Sequence, residues 1–204
     1  MARLLALGRP WLAGPALCCL IAAFAPSANA AQPVGEVNWS RGSAFLERET
    51  GKQSATPGTG VLLDDLALTG EDARLDLRLG KATRLRLGPS ASLKIDKFVA
   101  GIEAVTTLED GPLVVSRQKG AEPKFEVKTP YAVLAARGTN FFAGPSRGVF
   151  AVFVQSGTVE VRTQHGSVEV QARHGIEIKA PGEAPNAPVC WEKVRINTAF
   201  NSVR

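Results

Sequence analysis

The chain has 204 residues, with 24 Lys plus Arg against 19 Asp plus Glu, a formal net charge of +5, 45% hydrophobic residues, 20 Gly, 13 Pro and three Cys. That length suits one domain with a core large enough to fold unaided. Glycine and proline are too few for collagen or low-complexity disorder, and the cysteines are too few for a disulfide scaffold.

Residues 1–30 read as a secretory signal peptide. Arg3 and Arg9 supply a positive start, Trp11 to Ala25 is apolar, and Ala28-Asn29-Ala30 places small residues before a cut at Ala30/Ala31. The apolar stretch is about 15 residues, broken by Gly14 and Pro15, whereas a membrane span takes roughly 20. Cleavage removes two arginines, no acid, and Cys18 with Cys19, which leaves a net charge of +3 and one thiol, Cys190. The expectation is an exported periplasmic protein with no membrane span after cleavage.

From residue 34 onward the apolar residues recur at spacing two, the period of half-buried strands. Residues 73–79 alternate Ala, Leu, Leu, Leu with Arg74, Asp76 and Arg78. Thr83 to Leu87 resumes the alternation after Gly80-Lys81, and Ser92-Leu93-Lys94-Ile95 repeats it after Gly88-Pro89. These three strands are expected to share one sheet face, leucines inward and arginines outward. Phe125 to Thr129 is a further strand, ended by Pro130. Phe141-Phe142-Ala143 and Val149 to Val154 lose the alternation, as strands covered on both faces do. Gly157, Gly166 and Gly175 then recur every nine residues, each followed by a short alternating strand. Either a meander or a solenoid of short rungs produces that period. Glu49 to Gly60 reads as a loop and Gly182 to Pro188 as the start of a tail. The fold class is therefore all-β, short strands with Gly/Pro turns, as a solenoid-like structure or a twisted β-sandwich. The organisation is signal peptide 1–30, all-β domain 31–180 and C-terminal tail 181–204.

The segment Thr129-Pro130-Tyr131-Ala132-Val133-Leu134-Ala135-Ala136-Arg137-Gly138-Thr139-Asn140-Phe141, followed by Gly157-Thr158-Val159-Glu160-Val161, resembles the FecR domain family. Leu68 to Leu77 and Leu85 to Pro89 are similar to that family's upstream strand blocks, so the resemblance covers about residues 34–180. Ala135-Ala136 stands where Gly-Val is usual. The resemblance implies an all-β periplasmic module. Full-length members join it to a transmembrane helix and a cytoplasmic anti-sigma segment, and relay the state of an outer-membrane TonB-dependent receptor to a sigma factor. Neither segment is recognisable here, so the expectation is a stand-alone exported FecR module whose signal passes through another protein.

Two readings stand for Arg137, Gly138 and Thr139. They form a contact site, or Gly138 permits a turn while Arg137 pairs with a carboxylate and Thr139 satisfies backbone groups at a strand start; turn chemistry favours the second. Arg74, Arg78, Arg84 and Arg86, with Lys81 at the turn, form an outward stripe suited to an anionic partner or to keeping a sheet face soluble. His165 and His174 each precede a repeat glycine, and would converge on a metal only if the strands stacked in parallel and further ligands joined them. Cys190 has no disulfide partner in the mature chain and no histidine within its local segment. Asp64-Asp65 and Glu71-Asp72 fall at expected turns, where acids are common. No zinc motif, phosphate loop or nucleophile elbow occurs, and no basic run is interleaved with aromatics. The expectation is a binding or signalling module without catalytic residues, metal or cofactor. Its partner would be another envelope protein, with an anionic glycan as a further candidate and nucleic acid excluded. The alternative is a structural envelope factor that binds glycan or peptidoglycan.

Overall fold

The computed structural model describes residues 32–99, 102–118, 120 and 125–204; the signal-peptide reading of residues 1–30 lies outside them. Along the chain, strands are laid down alternately in two sheets. β1 (Gly35–Arg41) opens the first sheet, and β2 (Ala44–Arg48) with β3 (Gly51–Ser54) forms a hairpin in the second. β4 (Gly60–Val61) returns to the first sheet and β5 (Leu66–Thr69) to the second. β6 (Arg74–Leu79) and β7 (Thr83–Leu87) then form a hairpin in the first, and β8 (Ser92–Val99) with β9 (Glu103–Asp110) one in the second. β10 (Leu113–Arg117) joins the first sheet, and β11 (Phe125–Lys128) with β12 (Val133–Ala136) the second. β13 (Asn140–Ser146) and β14 (Val149–Ser156) lie in the first, and β15 (Thr158–Thr163) with β16 (Gly166–Gln171) in the second. Finally β17 (His174–Ile178) and β18 (Val189–Cys190) close the first sheet, and helix α1 (Lys193–Asn201) follows.

The resulting orders are β18-β17-β14-β13-β10-β7-β6-β1-β4 and β16-β15-β12-β11-β9-β8-β5-β2-β3. The chain thus travels from one end of both sheets to the other, as a solenoid does, while building a sandwich. Pairing is antiparallel throughout the described ladders except between β9 and β11, which run parallel. Hairpins permit this because antiparallel neighbours need only short turns.

One core lies between the sheets. Leu75, Leu77, Leu79, Leu85 and Leu87 enter it from the first sheet, and Leu46, Leu93, Ile95, Phe125, Leu134 and Val161 from the second. Each is at most 1% exposed, and burying a leucine stabilises by about 2 kcal/mol relative to leaving it in water. The leucine alternation of the sequence is the inner face of this core.

Three sequence expectations change. The third alternating strand, β8, does not share a sheet with β6 and β7; the chain crosses at Gly88-Pro89 and lays Leu93 and Ile95 onto the core from the other side. The nine-residue period is not a ladder. β15 and β16 pair antiparallel, whereas the third copy, β17, crosses to pair with β14 in the first sheet. Arg173, at φ 71°, makes that turn. The solenoid-rung reading of those glycines is therefore replaced by a hairpin and a crossover.

Residues 181–204, read as a tail, complete the fold. Trp191, Ala199, Phe200 and Val203 pack onto Val114, Phe142, Ala151 and Phe153, which point out of the first sheet. This is the second cover that the unbroken apolar runs called for. Arg195 holds the helix in place: its Nη1 lies 2.6 Å from Glu177, its Nε donates to Ser146 Oγ at 3.1 Å, and its guanidinium sits 3.7 Å over the Trp191 ring. α1 covers only the β10-β13-β14 side of the sheet. Among the described residues, no helix covers the outer face of the β1-β6-β7 side.

Candidate functional site

The bare side carries the arginine stripe. Side chains of β1, β6 and β7 that point away from the core are Glu36, Trp39 and Arg41, then Arg78, Asp76 and Arg74, then Arg84 and Arg86, as the pairs Glu36↔Arg78, Trp39↔Asp76, Arg41↔Arg74, Arg78↔Arg84 and Asp76↔Arg86 require. A bulge between Val37 and Trp39 turns the tryptophan onto this face, where it is 42% exposed.

The four predicted arginines do not play one part. Asp76, only 3% exposed, receives Arg84 Nε at 2.8 Å on both carboxylate oxygens and Nη2 at 2.6 Å, while Arg86 Nε stands 3.6 Å away. Hydrogen bonding to Asp76 holds Arg84 above the usual arginine range. Burial, then the Arg84 charge beside it, pushes Arg86 below that range, with Asp76 opposing. These three residues are a neutralising cluster that lets a carboxylate sit under a sheet face. Arg78 differs: its ion pair with Glu36, at 2.7 Å, is half exposed on both sides and worth at most about 1 kcal/mol. It is free to exchange partners. The side chains of Lys81, in the β6–β7 turn, and Arg41 make no ion pair or hydrogen bond among the described residues. Arg74 donates from Nη1 to the Ala73 carbonyl at 2.9 Å, and its Nε is buried without a partner.

A trough of about 420 Å³ runs beside these groups, lined by Arg78, Lys81, Thr83, Arg84, Ser116 and Asn140 among others. Its polar row continues across the sheet. Arg78 bonds Glu36, Arg84 pairs with Ser116 in register, Ser116 Oγ lies 3.1 Å from Asn140 Oδ1, and Asn140 Nδ2 donates to Gln155 Oε1 at 2.5 Å. Arg117 closes one end, donating to Thr83 Oγ1 at 3.1 Å with its guanidinium over the Phe125 ring. A second groove, over the outer face of the other sheet, holds Glu126 and Arg162, which pair with each other.

Arg137, Gly138 and Thr139 lie elsewhere, between β12 and β13. Gly138 has φ 59°, Thr139 is fully buried, and its carbonyl accepts from Arg117 N at 2.9 Å. Gly157 has φ 81°, and a Cβ there would stand 2.7 Å from Thr139 Cγ2. The spacing between these motifs is thus the meeting of a threonine methyl with a bare backbone. Arg137 is exposed in a shallow hollow with Thr158, Glu160, Ser167 and Glu169. Thr129 Oγ1 accepts from the amides of Tyr131 and Ala132 at 3.1 and 2.9 Å, and Tyr131 stacks on Phe150 at 4.5 Å. Thr129-Pro130 is the turn of the β11–β12 hairpin.

The histidines take separate partners. His165 Nε2 is 2.6 Å from the Gly182 carbonyl, in the β15–β16 turn. His174 Nε2 is 3.4 Å from the exposed Cys190 Sγ, and its Nδ1 is 3.1 Å from the Ala172 carbonyl. A carbonyl only accepts, so Nδ1 carries a proton, and Nε2 is the atom that faces the thiol. The local segment around Cys190 gave no sign of this neighbour, because it comes from the β17–β18 pairing.

Asp65, 1% exposed, takes a two-toothed bond from Arg48 (Nε 2.7 Å, Nη2 3.0 Å) and the Leu62 amide at 2.8 Å. Arg48 Nη2 also reaches the Gly60 carbonyl at 2.6 Å, so the pair clips the loop after β3 onto the sheet. Hydrogen bonding to Asp65 holds Arg48 above the ordinary arginine value. Asp65→Asn is expected to lower stability by about 2 kcal/mol, since the half-buried Arg48 guanidinium loses its counter-charge and its two-toothed bond; urea unfolding of both forms measures it.

A two-sheet sandwich with a helix on one half-face and a cationic trough on the other makes this an all-β module. The model of the FecR protein family matches residues 65–169, and the chain belongs to that family. Two crystal structures of a proposed anti-sigma factor from Parabacteroides distasonis, at 1.65 and 2.50 Å resolution, are similar in fold, with TM-scores of 0.58 and 0.56 at 13% and 15% identity. They share 66% and 65% of this chain, and this chain spans 64% and 63% of theirs. No curated protein matches the chain. No helix among the described residues is long and apolar enough to cross a membrane.

Proposed function

We propose that this protein is a non-enzymatic recognition module of the cell envelope, exported to the periplasm, which binds an acidic envelope component through the bare half of its first sheet. The observation that carries this reading is the division of that sheet's outer face. Where the residues are apolar a helix covers them, and where they are Arg41, Trp39, Arg78 and Lys81 no element among the described residues does. Family membership, with neighbours described as a proposed anti-sigma factor, supports a part in signalling, the readout lying in another protein. The signal-like pattern of residues 1–30 supports export.

A second mode of recognition has its own support. β4 and β18, the edges of the first sheet, are two residues each, and β3 is four exposed residues with Lys52, all poor templates for strand addition. β16, the remaining edge, has six residues and pairs only with β15. A protein partner adding a strand would meet it there.

Capture from a periplasmic and cell-wall extract by the mature protein tests the primary reading. Arg41→Glu with Lys81→Glu, which breaks no side-chain hydrogen bond or ion pair among the described residues, is expected to abolish capture. Capture that survives this change would move recognition to β16.

A further inference from the structure

We infer that the acidic component is a linear, carboxylate-bearing polysaccharide lying along the trough; this rests on the reading of the bare half-face as the recognition surface. The polar row from Glu36 through Arg78, Arg84, Ser116 and Asn140 to Gln155 crosses six strands, about 24 Å at the usual strand spacing. A row of that length, open to solvent, fits an extended chain and not a compact small molecule. Its composition is mixed in a way that suits sugars. Arg78 and Lys81 supply cations for carboxylates at one end, Ser116, Asn140 and Gln155 supply neutral hydrogen-bonding groups for hydroxyls, and exposed Trp39 supplies one apolar ring face. Glu71 and Asp72 stand in the turn before β6, so the positive field is strongest at the Arg78 and Lys81 end.

Other polyanions fit less well. A protein interface of this size needs an apolar centre, and Trp39 is the one exposed large apolar residue on the strands of this half-face. A lipid surface would require several apolar side chains to enter the bilayer. A nucleic acid would require a larger basic excess with aromatics interleaved.

The experiment is titration of the mature protein with polygalacturonate, using dextran and poly-glutamate as the neutral sugar and the sugar-free polyanion. Binding to polygalacturonate is expected to exceed that to either control by about tenfold or more, and Trp39→Ala and Lys81→Glu each to weaken it by about tenfold with the unfolding midpoint unchanged. Equal binding to poly-glutamate with no effect of Trp39→Ala would reduce the face to an unspecific cation and overturn the inference. So would polygalacturonate binding that neither variant changes. Absence of polygalacturonate binding, while envelope capture still depends on Arg41 and Lys81, would overturn the glycan and leave the recognition face standing.

Discussion

Phe153→Ala is expected to destabilise the protein by about 4 kcal/mol, the middle of the range for deleting a buried aromatic ring. Phe153 is 2% exposed although it points out of the first sheet, away from the main core. It stacks on Trp191 at 5.0 Å and meets Phe200 edge-on at 6.1 Å, so one ring holds both the β18 connection and α1. α1 has nine residues, no side-chain N-cap, and no acid in its first turn. A helix that short and uncapped does not persist alone, and its stability comes from this docking. Truncating Phe153 therefore removes ring contacts and loosens the cover over Phe142 and Val114 together. Urea unfolding measures the loss. A value below about 1 kcal/mol would mean that the helix is held elsewhere and that residues 181–204 are the tail the sequence suggests.

Gly157→Ala should cost about 3 kcal/mol. Two terms add: a residue with a Cβ at φ 81° carries about 1–2 kcal/mol of backbone strain, and the new methyl, 2.7 Å from Thr139 Cγ2 and 3.0 Å from the Gly138 carbonyl, forces an overpacking shift of about 1–3 kcal/mol. The partner of the clash is named, so its share can be separated. Thr139→Ser removes Cγ2, and in that background Gly157→Ala should cost at least about 1 kcal/mol less. Additive costs would show that the two positions do not meet. The family motif would then need a role other than packing.

Much of the architecture could be read from alternation alone. Leu75, Leu77, Leu85, Leu87, Leu93 and Ile95 face the core as their spacing required, and Phe142 and Phe153, in runs without alternation, are covered on their second side. The identity of that cover was not readable. α1 offers few apolar residues, and Trp191, Phe200 and Val203 gain meaning only opposite the face they fill. Sheet membership was hidden for a related reason. A strand with one apolar face suits either layer, and the local signal at Gly88-Pro89 or at Ala172-Arg173 marks a turn without saying where the chain goes next. The nine-residue period of Gly157, Gly166 and Gly175 misled because equal strand lengths give equal spacing in hairpins and in rungs alike. On the candidate site, the stripe itself was visible, but Asp76 divides it. Its burial binds Arg84 and Arg86 to the fold and leaves Arg78 and Lys81 as the available cations, with Trp39 and Arg41 added from β1, a strand that sequence reasoning had not joined to the stripe.

The half of the first sheet that α1 leaves uncovered is the surface proposed here for recognition. Its most direct test sets Arg41→Glu with Lys81→Glu beside a reversal on the opposite sheet, Lys128→Glu, an exposed residue at the end of β11. The amount of envelope material each form retains at a single ionic strength is then compared with the unaltered protein. The first variant is expected to lose capture while Lys128→Glu keeps it, with all forms unfolding at the same urea concentration. Equal retention by both variants, or loss only in Lys128→Glu, would contradict it.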